Sequence, residues 1–227
     1  MAARQFSVGN ALAVLGTVAL LLGPVPAVGN SISVAVRDSA GAPVVDAVVY
    51  ASPVAGVAQG RPPRNAVIEQ LDRDFIPFVT VVQVGTAISF PNRDPLKHQI
   101  YSFSPAKLFE IKLYSGKTPP PIVFDKPGVV VLGCNIHDWM EAYVLVVETP
   151  HFAKTDKKGA ARINDLPAGR YRVQVWHPDQ RADAAAQEIS VSPKAAAQAE
   201  FAVDLITRQR KPKPPFDPLN YGQPLLK

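Results

Sequence analysis

After residue 30 the chain is written in short apolar runs separated by turn residues. Ser31 to Arg37 (SISVAVR) alternates apolar and polar positions with a period of two. It places Ile32, Val34 and Val36 on one face of a strand and stops at an Asp38-Ser39-Ala40-Gly41 turn. Val44 to Ala51 predicts a second strand, and the same reasoning predicts strands at Phe78 to Val84, Ala87 to Phe90, His98 to Phe103, Val129 to Leu132 and Ala142 to Val147. Past Pro150 the texture changes. A Thr155-Asp156-Lys157-Lys158-Gly159 turn, a short strand Ala161 to Ile163 and a Leu166-Pro167-Ala168-Gly169 turn lead into an alternating strand, Arg170 to Trp176. Ala184 to Val191 and Glu200 to Ile206 complete the series, with Ala184 to Ala186 also fitting a helical turn. Heptads and long helical periodicity are absent. The 23 prolines and 14 glycines fall between the runs as punctuation, which predicts an all-β protein of short-stranded sandwiches.

The first 29 residues stand apart. Arg4 precedes an apolar run from Ala11 to Leu22, followed by Gly23-Pro24 and the small-residue sequence Val25-Pro26-Ala27, the order of a cleaved secretory signal. A spanning helix needs about 20 apolar residues, and the Gly23-Pro24 pair interrupts this run first. The expectation is a periplasmic or secreted protein with no membrane span in its mature form. With 24 basic and 19 acidic residues the formal charge is +5, and it becomes +4 when Arg4 leaves. That balance steers toward an acidic protein or a membrane surface and says nothing of fold. Basic residues do not interleave with aromatics as a nucleic-acid groove requires, so no nucleic-acid partner is expected. From Thr207 to the end the chain is basic and proline-rich, and proline cannot donate to a ladder, so 207–227 reads as an extended strap, a disordered end or a partner-docking arm.

Cysteine usage changes the picture most. An exported domain usually pairs its cysteines, yet Cys134 is the only one. It is either a buried, inert small hydrophobe or occupied by something. It opens the segment Cys134-Asn135-Ile136-His137-Asp138-Trp139-Met140, between two predicted strands, and apart from Met1 that methionine is the only one in the chain. A thiolate, an imidazole and a thioether on one tight loop suit Cu(I) and Cu(II), which take thiolate and imidazoles in a trigonal plane with a weak axial thioether. A second imidazole is needed from another loop, and His98, after the turn-rich stretch Phe90 to Lys97, supplies it. The remaining histidines, His151 and His177, lie in the other half of the chain and read as structural or surface residues. Zinc fits less well, because thioether ligation is unusual for it. Cysteine catalysis would pair Cys134 with a histidine differently placed from His137.

Residues from about Ala66 to Val147 resemble the cupredoxins, in particular the plastocyanin and amicyanin group. The likeness rests on Phe75-Ile76-Pro77, Val84-Gly85-Thr86, Phe90-Pro91-Asn92-Arg93-Asp94 with His98, Phe124-Asp125-Lys126-Pro127-Gly128, and Cys134 to Met140. It implies a Greek-key β-sandwich binding one copper ion through His98, Cys134, His137 and Met140, with Phe124 to Gly128 as the turn into the cysteine strand. That family commonly has Asn beside the first histidine, tying the two ligand loops together. Here Lys97 and Gln99 flank His98, which leaves Asn135 or Asn92 for that bond.

Ser31 to Pro53 and Thr155 to His177 resemble the two halves of a transthyretin-like or carboxypeptidase-regulatory-like β-sandwich. The expected layout is therefore a signal peptide over 1–29, a discontinuous outer sandwich over 30–58 and 149–206, a cupredoxin domain inserted at 59–148, and the basic tail at 207–227. This layout resembles that of the methylamine utilisation proteins. The function it implies is one-electron transfer between copper and a protein donor or acceptor, not an enzyme activity. The alternatives are a periplasmic copper carrier without redox turnover, and a carbohydrate-binding or adhesion protein acting through the outer domain.

Overall fold

In the computed structural model, residues 30–56, 58, 65–208 and 211–215 are described, and the predicted signal segment lies outside them. The described chain is all-β. In order the strands are Ile32–Asp38 (β1), Val48–Pro53 (β2), Ala66–Val67 (β3), Glu69–Leu71 (β4), Asp74–Ile76 (β5), Val79–Gln83 (β6) and Thr86–Ser89 (β7). They continue with His98–Ser104 (β8), Lys107–Tyr114 (β9), Ile122–Phe124 (β10), Gly128–Gly133 (β11) and Glu141–Val147 (β12). The last five are Phe152–Lys154 (β13), Ala160–Ile163 (β14), Gly169–Trp176 (β15), Gln187–Val191 (β16) and Ala197–Val203 (β17). Ala184 to Ala186 form neither strand nor helix, and the final long strand begins and ends three residues earlier than the pattern predicted.

Two apolar cores organise these strands. The first gathers Ile32, Val34 and Val36 of β1, Val49 and Ala51 of β2, Tyr171, Val173 and Val175 of β15, and Phe201 of β17. It lies between a β14-β1-β17 sheet and a β13-β2-β15-β16 sheet, so strands from both ends of the described chain share one interior. The second core gathers Ile68, Phe90, Ile100, Phe124, Leu132 and Val144 among others, between a β6-β12-β11-β8-β9 sheet and a β10-β7-β3 sheet. Thr155, in the predicted turn, helps close the first sandwich: its hydroxyl accepts from Ala47 N at 2.9 Å and donates to Val44 O at 2.7 Å.

A smaller cluster joins the two cores. Val48, Val79, Leu145 and Val147 pack with Tyr50, Phe78 and Trp176. This is why the run Ala142 to Val147 is apolar without alternation. Ala142, Val144 and Val146 face the second core while Leu145 and Val147 face the joining cluster, so the strand is buried on both sides. Lys154 on β13 adds a polar link, donating to Asp46 Oδ1 at 2.7 Å and to Val79 O at 2.8 Å.

The start of the basic tail lies across the end of the second sandwich. Arg208 pairs with Glu141 at 3.1 Å and Asp179 at 3.0 Å and hydrogen-bonds the Tyr143 hydroxyl, while Lys211 reaches Asp138 at 2.6 Å and Lys213 reaches Asp74 at 2.9 Å. In the described part of the tail, 207–208 and 211–215, all three basic residues meet carboxylates of the strands and turns.

Candidate metal centre

The strand ladder brings the two candidate loops together. β8 and β11 are antiparallel neighbours with Gly133 opposite Tyr101, so the start of one lies beside the end of the other. His98 begins β8, and Cys134 follows β11 directly, opening the loop that returns as β12 with Gly133 opposite Glu141. Gly133 lets the Tyr101 ring lie close at that crossing: a Cβ there would stand 2.7 Å from the ring and push it aside. Within the loop, Met140 N donates to His137 O at 2.9 Å, turning the segment back on itself.

Three donor atoms converge. Cys134 Sγ lies 4.0 Å from His98 Nδ1 and 4.0 Å from His137 Nδ1, and the two nitrogens are 3.1 Å apart. Among the described residues these three form a group able to hold a metal ion, with His98 and Cys134 buried and His137 partly so. An ion in their plane at the usual ~2.0 Å from both nitrogens would stand about 2.4 Å from the sulfur, close to the ~2.3 Å of metal–thiolate bonds. The triangle therefore fits one first-row ion without opening or closing. Met140 is buried, belongs to the same core cluster as Cys134, and borders the same cleft as Cys134, Tyr101 and Asp138.

The surroundings fix the imidazoles. His98 Nε2 faces Asp94 Oδ2 at 2.7 Å, both side chains being almost wholly buried. A carboxylate there requires the proton on Nε2 and leaves the Nδ1 lone pair for the cluster. Desolvation pushes the His98 pKa down, opposed by Asp94. The His137 pKa is pushed down to about 4 by burial first, then by His98 and Arg73. The His137 ring centre lies 4.9 Å from that of His98 and 5.0 Å from that of Trp139.

The expected asparagine tie takes another form. Asn92 Nδ2 donates to Leu96 O at 2.7 Å and Tyr114 O at 3.0 Å, and its Oδ1 accepts from Asp94 N at 2.9 Å, so it braces the His98 loop against β9. The two ligand loops are joined through the β4–β5 hairpin instead. Asp72 N and Arg73 N donate to the Asp94 carboxylate at 2.7 and 2.8 Å, while Trp139 Nε1 donates to Arg73 O at 3.1 Å. Sequence reasoning named Asp94 only within a motif and passed over the Asp72-Arg73 hairpin turn altogether. The available signal was Asp94 standing four positions before His98. His151 is buried, with its ring edge-on to that of Tyr171 and the ring centres 5.9 Å apart.

No protein-family model matches the chain, and no curated protein matches it. Solved structures similar to it include a copper-containing nitrite reductase from Thermus scotoductus SA-01, at 27% identity over 43% of this chain and 25% of that one, with a TM-score of 0.36. A purple cupredoxin from Nitrosopumilus maritimus is 23% identical over 36% of this chain and 99% of that one, TM-score 0.31. An amicyanin variant in its reduced Cu(I) form at pH 4 is 17% identical over 43% of this chain and 99% of that one, TM-score 0.34. The chain thus spans a quarter of the length of the nitrite reductase. With TM-scores this low, the case for a metal centre rests on the donor geometry.

Proposed function

We propose that the chain is an exported one-electron carrier that would hold a single copper ion through His98, Cys134 and His137, with Met140 as a weaker fourth ligand. The observation that carries this reading is the convergence of one thiol and two imidazole nitrogens on a triangle of 3.1 to 4.0 Å, in a chain with no other cysteine. One thiolate with two imidazoles and a thioether is a soft donor set, which suits copper in both oxidation states better than it suits zinc.

When bound, copper supplies the Cu(I)/Cu(II) couple. The residues do the rest. Cys134 and His98 are held by a strand ladder and a buried carboxylate, so a change of charge at the centre meets donors that are already in place. His137 is the least buried of the three and marks the route toward a protein donor or acceptor. We assign the second core to a cupredoxin-like unit over 59–148, inserted in a discontinuous outer sandwich of 30–58 and 149–206. Support comes from the two separate apolar interiors and from the pairing of β1 with β17.

The test is a visible absorption spectrum after stoichiometric Cu(II) addition. An intense thiolate-to-copper band is expected in the unaltered protein and no such band in Cys134→Ser. A band that survives that substitution, or no copper uptake by the unaltered protein, would remove the assignment.

A further inference from the structure

We propose that Asp94 is a positioning residue of the metal centre. Its carboxylate, clamped by the Asp72-Arg73 turn, orients His98 toward the donor cluster and biases a bound copper ion toward Cu(II). The inference rests on the copper reading above and adds to it a residue that sets the balance between oxidation states.

The clamp is visible in the backbone. Leu71 pairs with Asp74, so Asp72 and Arg73 are the two residues of a hairpin turn, and both have positive φ, 53° and 60°. Turns of this hand usually carry Asn-Gly, and an arginine in that conformation needs compensation. The compensation is the Asp94 carboxylate. One oxygen accepts from Asp72 N at 2.7 Å, and the other accepts from Arg73 N at 2.8 Å and from His98 Nε2 at 2.7 Å. Each oxygen thus accepts one backbone N–H of the turn, and Oδ2 is also shared with the imidazole, so the turn holds the carboxylate against His98. Asn92 Oδ1 holds the Asp94 backbone from the other side.

The bias follows from charge. The Cys134 thiolate and the Asp94 carboxylate together carry two negative charges, with both side chains largely shielded from water. The Arg73 guanidinium, which lowers the pKa of both histidines, offsets part of that charge equally in either oxidation state, and the carboxylate bonded to His98 still favours the more positive ion, Cu(II), over Cu(I).

Asp94→Asn keeps the shape and removes the charge. In the full chain, Cu(II) affinity measured by chelator competition should fall roughly 10- to 100-fold, the usual effect of losing such an outer partner. Cu(I) affinity should fall at least ~10-fold less, so the potential rises, by about 59 mV for each tenfold difference. Equal losses with an unmoved potential would mean a merely structural brace and would overturn the proposal, as would no change in either affinity. Should the variant fail to fold, the unaltered Cu(I) protein decides by nitrogen-15 NMR. His98 must carry a slowly exchanging proton on Nε2, and a rapidly exchanging one there overturns the proposal. A wild-type protein that takes up no copper would sink both readings, while a copper-loaded pair with equal potentials sinks this one alone.

Discussion

His137 is the donor most exposed to protons, and its environment sets how the site meets acid. Its pKa, lowered from 6.5 to about 4, means that the imidazole is already neutral at pH 7 and that metal uptake displaces no proton from it. Cys134 must give up its thiol proton to bind, so copper affinity declines steadily as pH falls, and His137 adds a further loss, up to roughly tenfold per unit, only below about pH 4, where proton and metal compete for its lone pair. Chelator competition across that range checks this, and a steepening of the decline that starts near 6.5 instead of about 4 would mean an unshielded ring. The same shift acts on folding with a definite sign. The unfolded chain takes the proton first, so the contribution of His137 to apo stability is complete above 6.5 and is lost as pH falls toward 4. Met140→Leu should retain copper and raise the potential, because a thioether binds weakly and favours Cu(II) only modestly. The swap nearly conserves volume and should cost less than about 1.5 kcal/mol in a urea melt, and complete loss of copper would make the thioether a principal ligand. Cys134, His137 and Met140 stood out because rare side chains lie close together in sequence, and of these the structure brings the Cys134 and His137 donor atoms to 4.0 Å. Asp94 was not, because its role depends on a left-handed Asp-Arg turn that no propensity announces.

Strands were legible where alternation was clean or where an apolar run was long. The pattern of β1 and β15 predicted their inward faces correctly, as Ile32, Val34 and Val36 and then Tyr171, Val173 and Val175 show. β9 escaped notice because its alternation is impure: Phe109 and Ile111 turn inward, while Leu108 and Leu113 stay exposed. β3, β4, β5, β10 and β13 span two or three residues each, too few for a period to register. β12 was read as a strand, but only the fold explains its unbroken apolarity, since the residue pattern does not reveal what covers the second face. That double burial makes a comparison testable. Leu145→Ala, emptying the joining cluster, should destabilise by about 2 to 5 kcal/mol, whereas Phe103→Ala on the same sheet, at 80% exposure, should stay within roughly 0.5 kcal/mol. Chemical denaturation of the apo proteins measures both, and equal costs would mean that β12 is not held from two sides.

The whole molecule poses the question of coupling between its two interiors, and the chain carries its own probes. Of its two tryptophans, Trp139 sits in the ligand loop beside His137, and Trp176 ends β15 in the cluster that joins the sandwiches. Copper bound only by the folded site stabilises that core by an amount set by concentration over dissociation constant, about 2.7 kcal/mol at a hundredfold excess over the dissociation constant. Whether the outer sandwich feels this depends on β12. It pairs with β6 and β11 in the site's own sheet, and through Leu145 and Val147 it packs against Val48 of β2. Unfolding the site would strip an apolar cover from β2, and the Arg208 bridge from Glu141 to Asp179 would open at the same time. Both interiors are therefore expected to melt together. Copper should raise the urea midpoint reported by Trp176 in a Trp139→Phe protein as much as the midpoint reported by Trp139 in a Trp176→Phe protein. A copper shift confined to the Trp139 signal would mean that the joining cluster is too small to transmit stability, and that the outer sandwich folds without regard to the metal centre.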